Sequence, residues 1–344
     1  MARPGSSLTR RDVVVVGASA GGVEALRAMA ASLPPDLPVT VLVVLHLPSY
    51  GHSVLPDILA RSGSLPARHV TGPTPFVPGE ILVAPPDRHL VVSDAGVDVT
   101  AGPRENGHRP AVDVLFRSAA RVLGPRVVGV ELSGVLDDGA AGMWSIRGRG
   151  GLVVVQAPGD CLYPDMPRSV MAQMEPDHVA KASELGSLLD RVCREEFSPG
   201  VVAPPSDLLV AETALAHMEE FVMNAVDRPG TPAGFSCPDC GGTLFELHDG
   251  AVTRYRCRVG HAWTSKGLLG EQSQQLDTAL WIALRALEEK AALASQLAER
   301  AAESGSRLTA DRFGEQAREA HESANRVREL IERRPAVSVE MVDE

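Results

Sequence analysis

Short runs of mostly β-branched and aliphatic residues recur along the first half of the chain, at 13–16, 39–45, 80–84, 127–132 and 152–156. Runs this short and this continuously apolar predict strands covered on both faces, as in a parallel sheet. Between them the period changes: at 22–33, 53–61, 112–123 and 139–147 apolar residues return every three or four positions, which predicts crossover helices. From residue 12 to about 195 the alternation therefore predicts an α/β domain with a predominantly parallel, doubly wound sheet. One interruption, 89–92 and 97–100 flanking Asp94-Ala95-Gly96, alternates in polarity and predicts a hairpin, hence a mixed sheet.

Beyond residue 195 the pattern is different in kind. Two Pro-rich stretches, SPGVVAPPS at 198–206 and RPGTPAG at 228–234, predict linkers on either side of a helix at 207–226. From 266 to 334 the chain is rich in Ala, Glu and Leu. Leu276, Leu280, Ala283, Leu287, Ala294 and Ala301 form one stripe, and Phe313, Ala317, Ala320, Ala324, Val327 and Ile331 a second, divided at Gly305-Ser306. Two such stripes predict a helical hairpin. It reads first as a simple packing pair, with a surface for a second copy or a protein partner as the alternative. The resulting plan is an α/β domain at 12–195, a linker with a helix at 196–234, a small module at 235–265 and the hairpin at 266–334.

Charge narrows the function classes. The 33 Lys and Arg against 44 Asp and Glu leave a net charge of −11, unlike the basic surface that holds a phosphate backbone, so no nucleic-acid partner is expected. The N-terminal residues lack a signal-peptide core and no apolar run reaches the length of a membrane span, so a cytoplasmic, non-inserted protein is expected. Three of the five cysteines cluster at Cys237, Cys240 and Cys257, with His261 four residues later. C-x2-C followed by C-x3-H offers four ligands on two turns, which suits closed tetrahedral zinc in a zinc-ribbon-like module and a structural role. A redox C-x-x-C pair would need neither Cys257 nor His261. Cys161 and Cys193 read as ordinary thiols.

Candidate chemistry sits at three strand ends. The first strand runs into Gly17-Ala18-Ser19-Ala20-Gly21-Gly22, a G-x-S-x-G turn whose small residues leave the serine exposed above the sheet. The following helix N-terminus offers the Ala20 and Gly21 amides to a tetrahedral oxyanion. The same residues nearly fit a dinucleotide fingerprint, but the second strand ends in His46-Leu47-Pro48 and lacks the ribose-binding acid that reading requires. The fourth predicted strand leads through Ser133-Gly134-Val135-Leu136 to Asp137-Asp138-Gly139. Ligands bind at the carboxyl ends of parallel strands, so a Ser, a His and an Asp there can converge as a nucleophile, a base and the group that orients the base. The order Ser, His, Asp differs from the Ser, Asp, His order of α/β-hydrolases.

Residues 12–193 resemble the catalytic domain of chemotaxis protein-glutamate methylesterases of the CheB type. The resemblance rests on VVVVGASAGGVEAL, VVLHLP, ILVAPPDRHL, RPAVDVLFRSAA, SGVLDDGAAGM, GGLVVVQAP and the Met166-Pro167 pair, in that order. It implies a serine hydrolase with Ser19, His46 and Asp138 as triad, Asp138 preferred to Asp137 because it directly precedes Gly-Ala. It further implies removal of methyl groups from glutamyl γ-methyl esters, with glutamine deamidation as a related activity. No catalytic cofactor is implied, and the implied partner is a methylated chemoreceptor-like signalling protein. Arg104, Arg109 and Asp113 fall in the segment similar to the family's substrate-facing region, with solvated surface as the alternative. Two departures stand out: Val135-Leu136 where the family has Met-Gly beside the oxyanion site, and Ala20 where it often has Thr. Only about eleven residues precede the first strand, so phosphorylation control through a preceding receiver domain is not expected in this chain.

Overall fold

The computed structural model describes residues 8–48, 51–218, 230–249 and 252–333. In chain order the α/β part contains β1 (Val13–Ala18), α1 (Gly22–Ser32), β2 (Thr40–Leu45), α2 (Leu55–Ser62), β3 (Ala67–His69), β4 (Glu80–Val83), β5 (His89–Ser93) and β6 (Gly96–Thr100). It continues with α3 (Val112–Leu123), β7 (Val127–Glu131), α4 (Ala140–Gly148), β8 (Leu152–Gln156), α5 (Asp165–Gln173), β9 (His178–Ala180) and α6 (Leu185–Arg194). Seven strands form one sheet in the order β3-β4-β2-β1-β7-β8-β9, and every pairing within it is parallel.

The pleat explains why the strands are apolar at every position. Val14 and Val16 enter one core with Leu26, Met29, Leu59 and Leu189, whereas Val13 and Val15 enter the other with Phe116, Met143, Met166 and Val170. Helices α1, α2 and α6 thus cover one face and α3, α4 and α5 the opposite one, the doubly wound arrangement. The central strand β1 has β2 on one side and β7 on the other. The chain leaves β1 in one direction and later returns to its far side, which opens a crevice at the carboxyl ends of these three strands.

The expected mixed sheet is corrected. β5 and β6 pair with each other in a separate antiparallel ribbon. The free edge of β4 is taken instead by β3, whose residues Ala-Arg-His carry no apolar signature, and β5 packs on α3 through Val92 N–H donating to Ser118 Oγ at 3.1 Å.

A helix, α7 (Asp207–Ala216), follows the irregular Pro-rich stretch, capped by Ser206 Oγ accepting from Leu209 N–H at 3.2 Å. The remainder of the helix predicted at 207–226 lies from 219 onward outside the described residues. The second predicted linker is corrected from Thr231 on: β10 (Thr231–Ser236) pairs antiparallel with β11 (Thr243–Asp249), and β12 (Val252–Cys257) and β13 (Ala262–Thr264) complete a four-stranded sheet. β10 is an edge strand, where Pro232 needs no ladder donor on its open side. This small sheet belongs to the same compact unit as the α/β part, Met1–Leu268.

The second unit, Leu269–Glu344, is dominated by α8 (Ser265–Glu303) and α9 (Arg307–Arg333), joined through Gly305 at φ 76°. Its buried residues are Leu284, Ala291, Ala294, Ala301, Ala320 and Ala324, and Arg328 pairs with Glu288 at 2.5 Å. Leu276, expected in the seam, is 54% exposed, because an α9 of 27 residues cannot run alongside all 39 of α8. No described helix is long and apolar enough to cross a membrane.

Candidate active site

Ser19 stands on the turn between β1 and α1. Gly21 there has φ 69°, and a Cβ on it would lie 2.7 Å from Leu162 Cβ and 2.8 Å from Ser133 Oγ, so only glycine fits. The Ser19 amide donates to Ser133 O at 3.0 Å and the Gly22 amide to Ser19 O at 2.9 Å. Among the described residues nothing accepts from the Ala20 or Gly21 amide, and both lie just before α1, where an oxyanion would be met by free donors.

His46 follows β2 directly, its amide donating to Ala18 O at 3.1 Å. One ring nitrogen, Nδ1, lies 3.1 Å from Ser19 Oγ, and the other, Nε2, lies 2.7 Å from Asp138 Oδ2. A carboxylate can only accept, so Nε2 carries the proton and the Nδ1 lone pair is left for the serine hydroxyl. The imidazole is stacked on His108, with centroids 3.7 Å apart and planes 11° from parallel. Burial, then the neighbouring His46, pushes His108 down to about 3, so this second ring is a neutral plate at ordinary pH.

Asp138 is buried at the start of α4 and is surrounded by donors. Oδ2 accepts from His46 and from Val112 N–H at 2.7 Å, and Oδ1 accepts from Asn106 Nδ2 at 3.1 Å and Asp113 N–H at 3.3 Å. Burial pushes its pKa up, but the hydrogen bond and charge of His46, His108 and the Val112 amide more than offset this and hold it at about 2. Asp137 faces elsewhere and accepts from Thr264 Oγ1 at 2.6 Å. A few residues back on β7, Glu131 is fully buried with no hydrogen-bond partner on either oxygen among the described residues. Burial, then Asp138 and Asp113, push it well above the ordinary carboxyl value.

An open cleft of ≈ 370 Å³ adjoins these residues, lined by His46, Leu47, Pro48, Arg104, Gly107, His108 and Arg109. Arg104 therefore borders the site. Arg109 does as well, but its guanidinium is tied to Asp87 at 2.7 Å and to the Ala101 and Gly102 carbonyls. Asp113 is neither substrate-facing nor solvated: it is buried, and its Oδ1 accepts from the Gly139 and Gly142 amides, capping α4. Leu136 adopts φ 63°, the left-handed backbone that glycine takes without penalty. Gly134 beside it cannot be larger, since a Cβ would lie 1.9 Å from Met166 Sδ and 2.9 Å from Ser19 Cβ.

The cysteine cluster assembles at the tip of the small sheet. The ligand atoms of Cys237, Cys240, Cys257 and His261 all lie within 4.8 Å of one another and could hold a metal ion. Cys240 Sγ is 3.7 Å from Cys257 Sγ, and His261 Nδ1 is 3.5 Å from Cys257 Sγ and 3.8 Å from Cys237 Sγ. Those are close to the edges of a tetrahedron, about 3.8 Å for thiolates at zinc distance. Cys161 and Cys193 stay apart, and burial raises their thiols to about 11 and about 12.

The sequence pattern does not single out what joins this sheet to the α/β part. Arg254 and Arg256 of β12 are buried against Glu212 of α7, Arg256 also against Glu105 at 2.9 Å, and Arg117 of α3 closes the cluster on Glu105 at 2.5 Å. The one available cue is Arg-Tyr-Arg at 254–256, two cations on the same face of a short strand. Nor does the pattern point to Asn106, His108 or Thr264, whose roles depend on contacts across the fold.

The CheB methylesterase family model matches residues 14–189. Over 164 residues the chain is 40% identical to the protein-glutamate methylesterase/protein-glutamine glutaminase 4 of Anaeromyxobacter dehalogenans, covering 46% of each protein. Over 198 residues it is 35% identical to a similarly named protein of Geobacter metallireducens, covering 56% of each. The chain thus spans about half the length of the curated relatives it matches. The crystal structure of the Thermotoga maritima CheB methylesterase catalytic domain superposes with TM-score 0.51 at 27% identity, covering 53% of this chain and 99% of that one.

Proposed function

Since the chain belongs to the CheB methylesterase family, we propose that it hydrolyses glutamyl γ-methyl esters on a chemoreceptor-like signalling protein in the cytoplasm, with Ser19, His46 and Asp138 as catalytic triad. The observation that carries this reading is the continuous line from Ser19 Oγ through His46 to Asp138 at 3.1 and 2.7 Å, laid across the carboxyl ends of β1, β2 and β7. His46 Nδ1 takes the Ser19 proton as Oγ attacks the ester carbonyl, and Asp138 stabilises the imidazolium that forms. The Ala20 and Gly21 amides receive the oxyanion. His46 then returns the proton to the departing methoxide, methanol leaves, and a water activated by the same nitrogen releases the glutamate carboxylate and free Ser19. An amide in place of the ester follows the same course with ammonia as leaving group, which matches the glutaminase activity in the names of the relatives.

The Cys237, Cys240, Cys257 and His261 set is read as a structural zinc ribbon. Four ligands at tetrahedral spacing leave no open coordination position, so a bound Zn²⁺ would supply cross-linking of the two turns and no catalysis. One zinc per chain by elemental analysis, lost in Cys240→Ser, is the expected result. Methanol release from methylated chemoreceptor fragments tests the activity. Wild-type protein should release it and Ser19→Ala and His46→Ala should not, with folding checked by circular dichroism. Release that is indifferent to Ser19 would overturn the reading.

A further inference from the structure

The last strand of the small sheet begins beside the metal-ligand set and ends on Asn106 and Asp137, the neighbours of the catalytic carboxylate Asp138. His261 is followed directly by β13. Ala262 donates its N–H to Arg104 O at 3.2 Å, and its carbonyl accepts from Asn106 N–H at 2.8 Å. Trp263 is buried in the small sheet's own core with Cys237 and Cys257, and its ring comes within 3.5 Å of where a Cβ on Gly107 would sit. Thr264 closes the path twice: its N–H donates to Asn106 Oδ1 at 2.7 Å, and its Oγ1 donates to Asp137 Oδ1 at 2.6 Å while accepting from Gly267 N–H at 2.9 Å.

Asn106 converts this into a constraint on the triad. Its backbone is left-handed at φ 52°, a conformation asparagine tolerates. With Oδ1 claimed by the Thr264 amide, the side-chain amide has one orientation, and Nδ2 must face Asp138 Oδ1, which it does at 3.1 Å. Asn106 and Thr264 are 9% and 5% exposed, so water does not substitute for either partner.

We infer that the cysteine module is a positioning element of the hydrolase: β13, anchored by ligation at His261, sets Asn106 and Asp137, and these hold Asp138 against His46. Asn106 and Thr264 are positioning residues, and the occupancy of the metal site governs turnover at a serine centre some of whose supports come from outside the α/β domain. The inference rests on the triad reading above and extends it to control of that site.

The test uses the full chain with and without zinc, the metal being removed by a chelator and restored as Zn²⁺. Thr264→Val removes the hydroxyl without changing shape, Thr264→Ser restores it, and Asn106→Gly removes the amide at a φ that glycine accepts. Methanol release, zinc content and the low-field NMR resonance of the His46 Nε2 proton are read on each. Thr264→Val and Asn106→Gly should lower kcat by about tenfold to a hundredfold with KM little changed, the loss of a charge-assisted hydrogen bond. Both should keep their zinc and shift the His46 resonance, and Thr264→Ser should return both readouts to wild type. Zinc removal should move the wild-type resonance the same way, but add little in Asn106→Gly, where the path is already cut. Unchanged kcat and an unmoved resonance in both variants would overturn the inference, as would zinc removal that leaves the resonance in place. A wild type that releases no methanol would refute the proposed substrate, while the resonance still decides the positioning. A chain that binds no zinc would refute the metal reading, and the Thr264 and Asn106 variants would then decide alone.

Discussion

Ser19 and Asp138 stand at opposite ends of one hydrogen-bonded line, yet they are held by opposite means. Ser19 is placed by its own neighbours in sequence, a strand end, a left-handed glycine and a helix start, and its side chain has His46 as partner. Asp138 is placed by the rest of the molecule: Val112 and Asp113 at the start of α3, Asn106 in the preceding loop and, behind Asn106, Thr264 from the small sheet. A nucleophile that must meet substrate is left free at its tip, whereas a buried charge has to be satisfied on every side. The two ends are therefore sensitive to different kinds of damage.

The largest effect is expected at Asp138 itself. Asp138→Asn should keep the fold, because an Asn oxygen at the Oδ1 position can still accept from Asn106 and Asp113, yet lower kcat by about 10³–10⁴-fold, because the amide nitrogen at the Oδ2 position reverses the hydrogen bond that fixes the His46 tautomer. A modest loss in steady-state methanol release would mean the carboxylate is support only. Next in size is the ion cluster that docks the small sheet. Arg256→Met strands Glu105 and Glu212 without that partner and should destabilise unit Met1–Leu268 by about 3–5 kcal/mol in denaturant unfolding. An unchanged midpoint would show that the sheet is held by other contacts.

The stack on His46 ranks third. His108→Ala removes a flat neutral partner and should reduce kcat by about tenfold, and His108→Phe should recover most of it. Equal losses in both variants would assign His108 a polar role instead. The smallest expected effect concerns Glu131, the buried carboxyl with no partner. Its folded pKa lies above the ordinary 4.5, so its contribution to stability is present below that pH and is lost as pH rises toward the folded value. Glu131→Met should raise stability by about 1–2 kcal/mol at pH above the folded value and flatten the decline in melting temperature as pH rises from 4.5. A parallel decline in wild type and variant would contradict this.

The same contrast explains what was legible in the sequence. The nucleophile turn and the five longest strands of the parallel sheet are local patterns, so Ser19, the strand preceding His46 and that sheet could be read directly. Strands β3 and β9, three residues each and with a polar residue in each, carry no periodic signal and exist through pairing alone. The cysteine spacing disclosed a candidate metal set, but not where it docks, because docking depends on Arg254 and Arg256, whose partners Glu105 and Glu212 lie far away in sequence. Asn106 and Thr264 are 158 positions apart and have meaning only together.

Labelling of the native protein with a fluorophosphonate probe, mapped by mass spectrometry, measures the activated serine most directly. A single adduct on Ser19 is expected, lost in His46→Ala and slowed by orders of magnitude in Asp138→Asn. An adduct on another residue, or labelling of Ser19 at the same rate in all three proteins, would contradict it.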